Sequence, residues 1–374
     1  MSKIVIIAGL AESLIRFRGD LLDAMRANGH DVVAIAAENN ESVSKQLAEK
    51  GIEYHVVSMA RTGLNPFSDL RYLLQLNRRL RLIKPDVMLA YTIKPVIYGL
   101  LAARLAGVKR RYALITGLGY AFTDADASFS RNLVKRVASG LYWLGLRFAN
   151  GLLFQNPDDR QLFESQGLFS TDLPTWIING SGVNVESFPA MALPSQPIFL
   201  FVGRILRDKG VLEYVEAART LKSTHPQASF HLVGPLDPNP SGIHADIVSN
   251  WRKEGLIEYH GAVSDVKPYL AACSVFVLPS YREGTPRSVL EAMSSGRAII
   301  TTDAPGCRET VVEGVNGFLV EPRDSSKLAI AMARLAESEE LRKQMGFKSR
   351  ELAEQKYDVH LVNKTMLNAM ELHN

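Results

Sequence analysis

The feature that most limits how this chain can fold is an alternation that runs, breaks and starts again. Short β-branched or apolar stretches are each followed by a loop and then by helical periodicity, often stopped at a glycine. In the first half the strand-like stretches are Lys3–Ala8, Asp31–Ala36, Glu53–Val57, Pro85–Ala90, Arg111–Ile115, Gly151–Gln155 and Thr175–Ile178. Between them Arg16–Asn28, Ser42–Lys50, Asp69–Ile83, Val96–Ala106 and Ser128–Ala149 read as helices. A stretch rich in Pro and small residues, Ser187–Pro197, then reads as a linker. After it the pattern restarts with strands at Ile198–Val202, Ser229–Val233, Ile257–His260, Val275–Leu278, Ala298–Thr301 and Gly317–Val320. Helices are expected at Gly210–Ser223, Gly242–Glu254, Val266–Ala272, Ser288–Ser295 and Ser325–Ala336. Strands alternating with helices predict α/β architecture, two doubly wound parallel sheets in separate domains, residues 1–187 and 188–355. Such sheets bind ligands outside the carboxyl ends of their strands, so the substrate is expected in a cleft between the two domains.

Composition removes several function classes. With 47% hydrophobic and 22% charged residues over 374, the chain is neither disordered nor fibrous. No apolar run reaches the roughly 18 to 20 residues that cross a bilayer. Met1–Gly9 is too short for a secretory leader and reads as a strand, so a cytoplasmic location is expected. Cys273 and Cys307 are the only cysteines, too few for a disulfide framework or a Cys-rich zinc site.

The net charge of +4 conceals a basic segment. Residues 61–150 hold fifteen Lys and Arg against four Asp, a local net of +11. A polyanionic partner fits: membrane phosphates, a lipid-linked substrate or nucleic acid. Solvated helix faces explain the same residues without any partner. Within the segment, Ser128–Ala149 carries an apolar stripe of Leu133, Val137, Leu141, Leu144 and Phe148 beside Arg131, Lys135, Arg136 and Arg147. It reads equally as an interfacial helix, with Trp143 toward lipid, or as a core helix. No nucleic-acid motif accompanies the charge, which ranks that partner last.

Two clusters carry chemistry. Gly203-Arg204 followed by Asp208-Lys209-Gly210 lies where a strand should pass through a glycine loop into a helix, an arrangement in which backbone N–H groups and two cations face a diphosphate. The second runs from Pro279 to Met293. Glu283 falls in a Gly/Pro loop after an apolar strand, and Glu291 lies one turn into a helix that Ser288 is placed to cap. Carboxylates beside a phosphate site are repelled by the anion unless they bind hydroxyls, so sugar and ribose hydroxyls are their natural partners. A nucleotide sugar offers both kinds of group.

These residues, Gly203-Arg204 with Lys209-Gly210, then Glu283-Gly-Thr-Pro through Glu291-Ala-Met, resemble the retaining family 4 glycosyltransferases of GT-B architecture over nearly the whole chain. The resemblance implies two Rossmann-like domains facing a cleft, with 356–374 crossing back onto the first domain. It implies that Arg204 and Lys209 hold the donor diphosphate, that Glu283 meets the donor sugar and that Glu291 meets the ribose. Gly203, Gly284, Thr285, Pro286 and Arg287 complete the expected donor site. Phe17-Arg18-Gly19 with Gly29-His30, then Tyr91–Gly99 and Ile115–Tyr120, are similar to a narrower group, the capsule and lipid-linked oligosaccharide transferases. Within it the likeness is greatest to N-acetylgalactosaminyltransferases that extend a bacillosamine-type sugar on undecaprenyl diphosphate. Arg16, Arg18, Lys94 and Thr116 are the acceptor-side candidates.

Two departures stand out: Thr116-Gly117 replaces a His-Gly common in the family, and Gly9-Leu10-Ala11 replaces a Gly-Gly loop. Asp124-Ala-Asp126 looks like a metal-binding pair but falls in a small polar loop after a motif of the metal-free architecture, and the eight histidines show no paired spacing. No metal and no cofactor are therefore expected.

The implied activity is retaining transfer of a sugar, an N-acetylhexosamine such as GalNAc, from a UDP-sugar to a polyprenyl-diphosphate-linked saccharide at the inner face of the cytoplasmic membrane. The partners are then the nucleotide sugar, the lipid-linked acceptor and the membrane surface. Open alternatives are a sugar-nucleotide epimerase of the same architecture, a transferase using GDP-mannose or UDP-glucose, and a non-catalytic sugar-nucleotide sensor.

Overall fold

The computed structural model describes residues 1–60, 65–117, 129–239 and 241–372, with the backbone alone for 129–134. It separates into two units, Met1–Ser181 with His360–Asn374, and Gly182–Val359.

In the first unit the elements follow as β1 (Lys3–Ile7), α1 (Ala11–Arg16), α2 (Gly19–Ala27), β2 (Asp31–Ala36), α3 (Glu41–Glu49), β3 (Glu53–Val56), α4 (Pro66–Ile83), β4 (Val87–Tyr91), α5 (Ile93–Ala106), β5 (Arg110–Ile115), α6 (Phe129–Leu146), β6 (Gly151–Phe154), α7 (Pro157–Ser165) and β7 (Thr175–Ile177). Among the described residues the strands form a parallel sheet ordered β3-β2-β1-β4-β5-β6-β7. Alternation along β1 explains why both faces are covered. Val5 and Ile7 join the core made with α4, α5 and α6, whereas Ile4 and Ile6 join the one made with α2 and α3.

In the second unit come β8 (Ile198–Val202), α8 (Val211–Thr224), β9 (Ser229–Val233), α9 (Ala245–Lys253), β10 (Glu258–Gly261), α10 (Lys267–Ala272), β11 (Val275–Leu278), α11 (Arg287–Ser294), β12 (Ala298–Thr302), β13 (Gly317–Val320), α12 (Ser325–Glu337) and α13 (Glu339–Leu352). The sheet order among described residues is β10-β9-β8-β11-β12-β13, again parallel. The last helix, α14 (Val359–Ala369), sends Val362 and Met366 into the first unit's core beside Leu21, Leu22 and Met25.

Several local expectations need correction. The helix expected over Arg16–Asn28 begins only at Gly19, as α2; Arg16 instead ends the separate helix α1, and between them the Arg18 side chain turns inward and is buried. Ser288 caps nothing: α11 already starts at Arg287, behind Pro286, and has no side-chain cap. α4 starts earlier than its apolar periodicity suggests because Asn65 accepts hydrogen bonds from Phe67 and Ser68 N–H (3.1 and 3.3 Å) with Pro66 in the first turn. Helices α1, α7 and α13 are additional to those read from the sequence.

Candidate functional site

In each sheet the strand order reverses once, between β1 and β4 and between β8 and β11, and the carboxyl ends of those strands are where a doubly wound sheet binds ligand. The second unit's reversal carries the donor-side candidates. From β8 the chain passes Gly203 and Arg204, makes a tight turn at Arg207–Lys209 and enters α8 through Gly210. From β11 it passes Pro279–Pro286 and enters α11. Neither α8 nor α11 has a side-chain cap, which leaves their first N–H groups for other acceptors.

The two loops are fastened together. Gly210 has φ +72°, and a Cβ there would lie 2.1 Å from the Pro279 carbonyl oxygen, so only glycine lets the loops approach. Tyr281 N–H donates to the Asp208 carbonyl at 2.9 Å. They also meet through side chains: the Lys209 ammonium donates to Glu283 Oε1. Ser280 Oγ donates to that same oxygen at 2.7 Å, and Glu283 N–H is held by the Pro305 carbonyl at 2.9 Å. The pair is largely withdrawn from water, with the lysine side chain 21% and the carboxylate 13% exposed. Behind Glu283, Gly306 at φ +80° would put a Cβ 2.2 Å from the Glu283 carbonyl oxygen, so that position too is closed to other residues. The neighbouring Cys307 thiol is pushed up to about 12 by burial and then by Glu283, which removes it as a nucleophile.

The other donor-side candidates occupy the same loops but pair separately. Arg287 Nε donates to Glu291 Oε1 at 2.9 Å, one turn along α11. Arg204 extends into solvent and bonds Asp237 Oδ2 at 2.8 Å. Gly203 is packed from behind by Gly234, where a Cβ would lie 1.8 Å from the Gly203 carbonyl oxygen. Thr285 Oγ1 donates to the Gly284 carbonyl at 3.0 Å, and Pro286 precedes α11.

At the first unit's reversal, Thr92 follows β4 with φ +69°, a conformation few non-glycine residues adopt and one that clusters at functional sites. A Cβ at Gly9 would lie 2.7 Å from Thr92 Oγ1, so glycine after β1 makes room for this threonine. Lys94, in the first turn of α5, gives Nζ to Asp69 Oδ1 at 2.7 Å, and Tyr98 OH donates to Asp69 Oδ2 at 3.0 Å. Asp69 lies 25 positions from Lys94, with no sequence signal linking them. The Arg18 guanidinium stands 5.3 Å from the centre of the Tyr91 ring, whose hydroxyl meets Ser13 Oγ at 2.8 Å. Burial pushes the Tyr91 phenol up to about 12, so it stays neutral. Arg16 is exposed at the end of α1, and Thr116 is half-buried just after β5. Leu118, Gly119, Tyr120, Asp124, Asp126, Arg131 and Leu133 lie outside the residues whose side chains are described.

One histidine pair is invisible to sequence spacing. His231 Nδ1 and His260 Nε2 meet at 3.0 Å across β9 and β10, with Glu258 Oε2 at 3.7 Å from His231. The rings are within 3° of parallel and their centres are 5.3 Å apart, the separation of two imidazoles hydrogen-bonded nose to nose. Joined by a hydrogen bond, the two nitrogens point at one another instead of converging on a third point, as the ligands of a tetrahedral ion would.

A profile of the "Glycosyl transferases group 1" matches residues 196–338, and one of "Glycosyl transferase 4-like" matches 9–156. The chain is 31% identical over 344 residues, 88% of each chain, to the N,N'-diacetylbacillosaminyl-diphospho-undecaprenol alpha-1,3-N-acetylgalactosaminyltransferase of Campylobacter jejuni. It is 28% identical, over 75% of this chain and 73% of the other, to the UDP-Gal:alpha-D-GlcNAc-diphosphoundecaprenol alpha-1,3-galactosyltransferase of Escherichia coli. Anabaena Alr3699/HepE, solved in complex with UDP and glucose, superposes with a TM-score of 0.79 at 19% identity, covering 99% of this chain and 100% of that one. Paired parallel-sheet units with their loops at the strand reversals are the GT-B fold. The chain belongs to the glycosyltransferases, in the group 1, family 4-like branch.

Proposed function

We propose that this enzyme moves an N-acetylhexosamine, GalNAc being the first candidate, from a UDP-sugar to a saccharide carried on polyprenyl diphosphate, with retention and with no metal or other cofactor. The observation that carries the proposal is the Lys209–Glu283 contact, one cation and one carboxylate held together at the mouth of the β8/β11 reversal. The Campylobacter and Escherichia relatives, whose names specify diphospho-undecaprenol acceptors, support the acceptor class.

When the glycosidic bond breaks, negative charge grows on the departing diphosphate. Lys209 and Arg204, with the uncapped starts of α8 and α11, meet that charge and take the place a divalent cation would fill. Glu283, fixed by Lys209 and Ser280, orients the sugar hydroxyls, and Glu291 receives the ribose. The acceptor hydroxyl attacks on the face the leaving group vacates and passes its proton to the diphosphate oxygen, so no separate base is needed. Gly203, Gly284, Thr285, Pro286 and Arg287 shape the donor loops. Arg16, Arg18, Lys94 and Thr116 serve the acceptor, its diphosphate meeting Arg16 and Lys94 while Arg18, buried against Tyr91, backs the site. A UDP-release assay across UDP- and GDP-sugars, with a short polyprenyl-diphosphate saccharide and with or without EDTA, tests this reading. Release from UDP-GalNAc, dependent on acceptor and indifferent to EDTA, is expected; isomerised donor without acceptor would instead mark an epimerase.

The basic segment takes a definite form in α4, and we assign it to the membrane surface. Its one acid, Asp69, points inward, while Phe67, Leu70, Leu74 and Leu82 are exposed on one face together with Arg71, Arg78 and Arg81. That face has both signals of an interfacial helix. α6 divides instead, burying Ala138, Tyr142 and Leu146 while exposing Val137, Trp143 and Leu144. No helix among the described residues is long and apolar enough to cross a bilayer. Replacing Leu70 and Leu74 by serine is expected to lower partition onto phosphatidylglycerol-containing vesicles by about tenfold or more, measured by co-sedimentation. Unchanged partition would exclude α4 as the membrane face.

A further inference from the structure

The loop that carries Glu283 has no regular structure, yet its carboxylate must stay within a fraction of an ångström of its working position. Tyr281, two residues before Glu283, reaches out of the loop in three directions. Its hydroxyl donates to Glu213 Oε1 at 2.7 Å, on the first turn of α8, the helix that starts just after Lys209. Its ring lies under the Arg323 guanidinium, 4.8 Å from the ring centre. Its N–H holds the Asp208 carbonyl, next to Lys209 in the chain. Glu213 Oε2 is buried with no hydrogen-bond partner among the described residues, so the Tyr281 hydroxyl is the donor on which that carboxylate depends. Arg323 itself has φ +66°, a backbone conformation costly for a residue with a side chain.

From these contacts we infer that Tyr281 is a positioning residue for the transfer. Clamped between Glu213 and Arg323, it holds the Glu283 loop against the turn that carries Lys209. The inference rests on the proposed roles of Lys209 and Glu283 and adds a residue that touches neither donor nor acceptor. Its signature is a split between binding and turnover. In the proposed site UDP is held by Arg204, Lys209, Glu291 and the starts of α8 and α11, which lie outside the 279–286 loop, whereas turnover needs Glu283 aligned with the sugar.

Tyr281→Phe keeps the ring over Arg323 and removes the hydroxyl. It is expected to lower kcat about tenfold while the Kd for UDP stays within about twofold, and to speed amide exchange across residues 279–286 but not in the strands. The double variant Tyr281→Phe/Glu213→Leu, which leaves no buried carboxylate without a donor, should show the same loss of kcat with an unchanged melting temperature. Glu213→Gln, which keeps an acceptor oxygen for the phenol, should retain kcat within about twofold. Turnover unaltered in both tyrosine variants, UDP affinity falling in step with kcat, or loop exchange equal to wild type would each overturn the clamp. The exchange measurement needs no turnover, so a wild-type chain that releases no UDP would sink the functional reading while the clamp is judged separately.

Discussion

Replacing Lys209 by alanine is expected to reduce kcat/KM for the sugar nucleotide by about 10²–10³-fold, the loss of roughly 2.7–4 kcal/mol of charge stabilisation at the leaving group. The size follows from where the ammonium sits. It is mostly screened from water and in contact with Glu283, so its field acts in a medium less polarisable than bulk solvent. In the unliganded enzyme the two charges offset each other, which keeps a buried cation tolerable before donor arrives. When diphosphate charge develops, the ammonium has a second anion to meet, and that interaction strengthens only along the reaction coordinate. The effect should therefore appear in kcat as well as KM. Glu283→Gln keeps an oxygen for Ser280 Oγ but loses the carboxylate, and combining it with Lys209→Ala should cost much less than the sum of the two, because they act as a unit. Steady-state kinetics with UDP titration on all three variants measures this. A Lys209→Ala enzyme within about threefold of wild type would remove the pair from the mechanism. Arg204→Ala is expected to cost less, since its side chain is 57% exposed and tied to Asp237.

How much of this was written in the sequence depends on the range of the interactions involved. Strand identity was legible almost to the residue: β2, β8, β9, β11 and β13 span the stretches their β-branched runs mark, because a parallel strand buried on both faces has to be apolar throughout. The positions of the two loops proposed for the donor were legible too, since Gly203, Gly210 and the Pro279–Pro286 segment sit where a strand must turn sharply into a helix. Pairings across loops were not. Nothing local tells that Lys209 meets Glu283, that Tyr281 spans to Glu213 or that Arg204 turns to Asp237. These depend on which strands lie side by side: the β8/β11 adjacency decides the first two and the β8/β9 adjacency the third. Helix starts failed for a related reason. Ser288 has the right chemistry for a cap, but Pro286 takes the cap position, two residues too early for that serine to act. Thr92 has a positive-φ backbone with no glycine to announce it, and Gly9 opposite leaves room for its hydroxyl. The basic segment divided along the same line: its charge was plain, but which helix turned an acid-free face outward required knowing that Asp69 points in.

Asp69→Ala is expected to destabilise the first unit by about 3–5 kcal/mol, the usual result of stripping one partner from a buried ion pair. The Asp69 side chain is 6% exposed and that of Lys94 11%, so the orphaned ammonium has little water to turn to, and the Tyr98 hydroxyl loses its acceptor as well. At about 2–4 °C per kcal/mol for a domain of this size, the melting transition should fall by roughly 6–20 °C. A second variant separates architecture from function. Asp69→Leu with Lys94→Met replaces the pair by apolar groups of similar bulk and should recover most of the stability, since the cost lies in the uncompensated charge more than in the missing attraction. If Lys94 also serves the acceptor diphosphate, this stable double variant should raise KM for the lipid-linked acceptor by about tenfold or more while leaving the donor KM unchanged. Recovery of both melting temperature and acceptor KM would assign the lysine to structure alone. The acceptor's charge would then fall to Arg16, exposed at the end of α1, since Arg18 is buried against Tyr91.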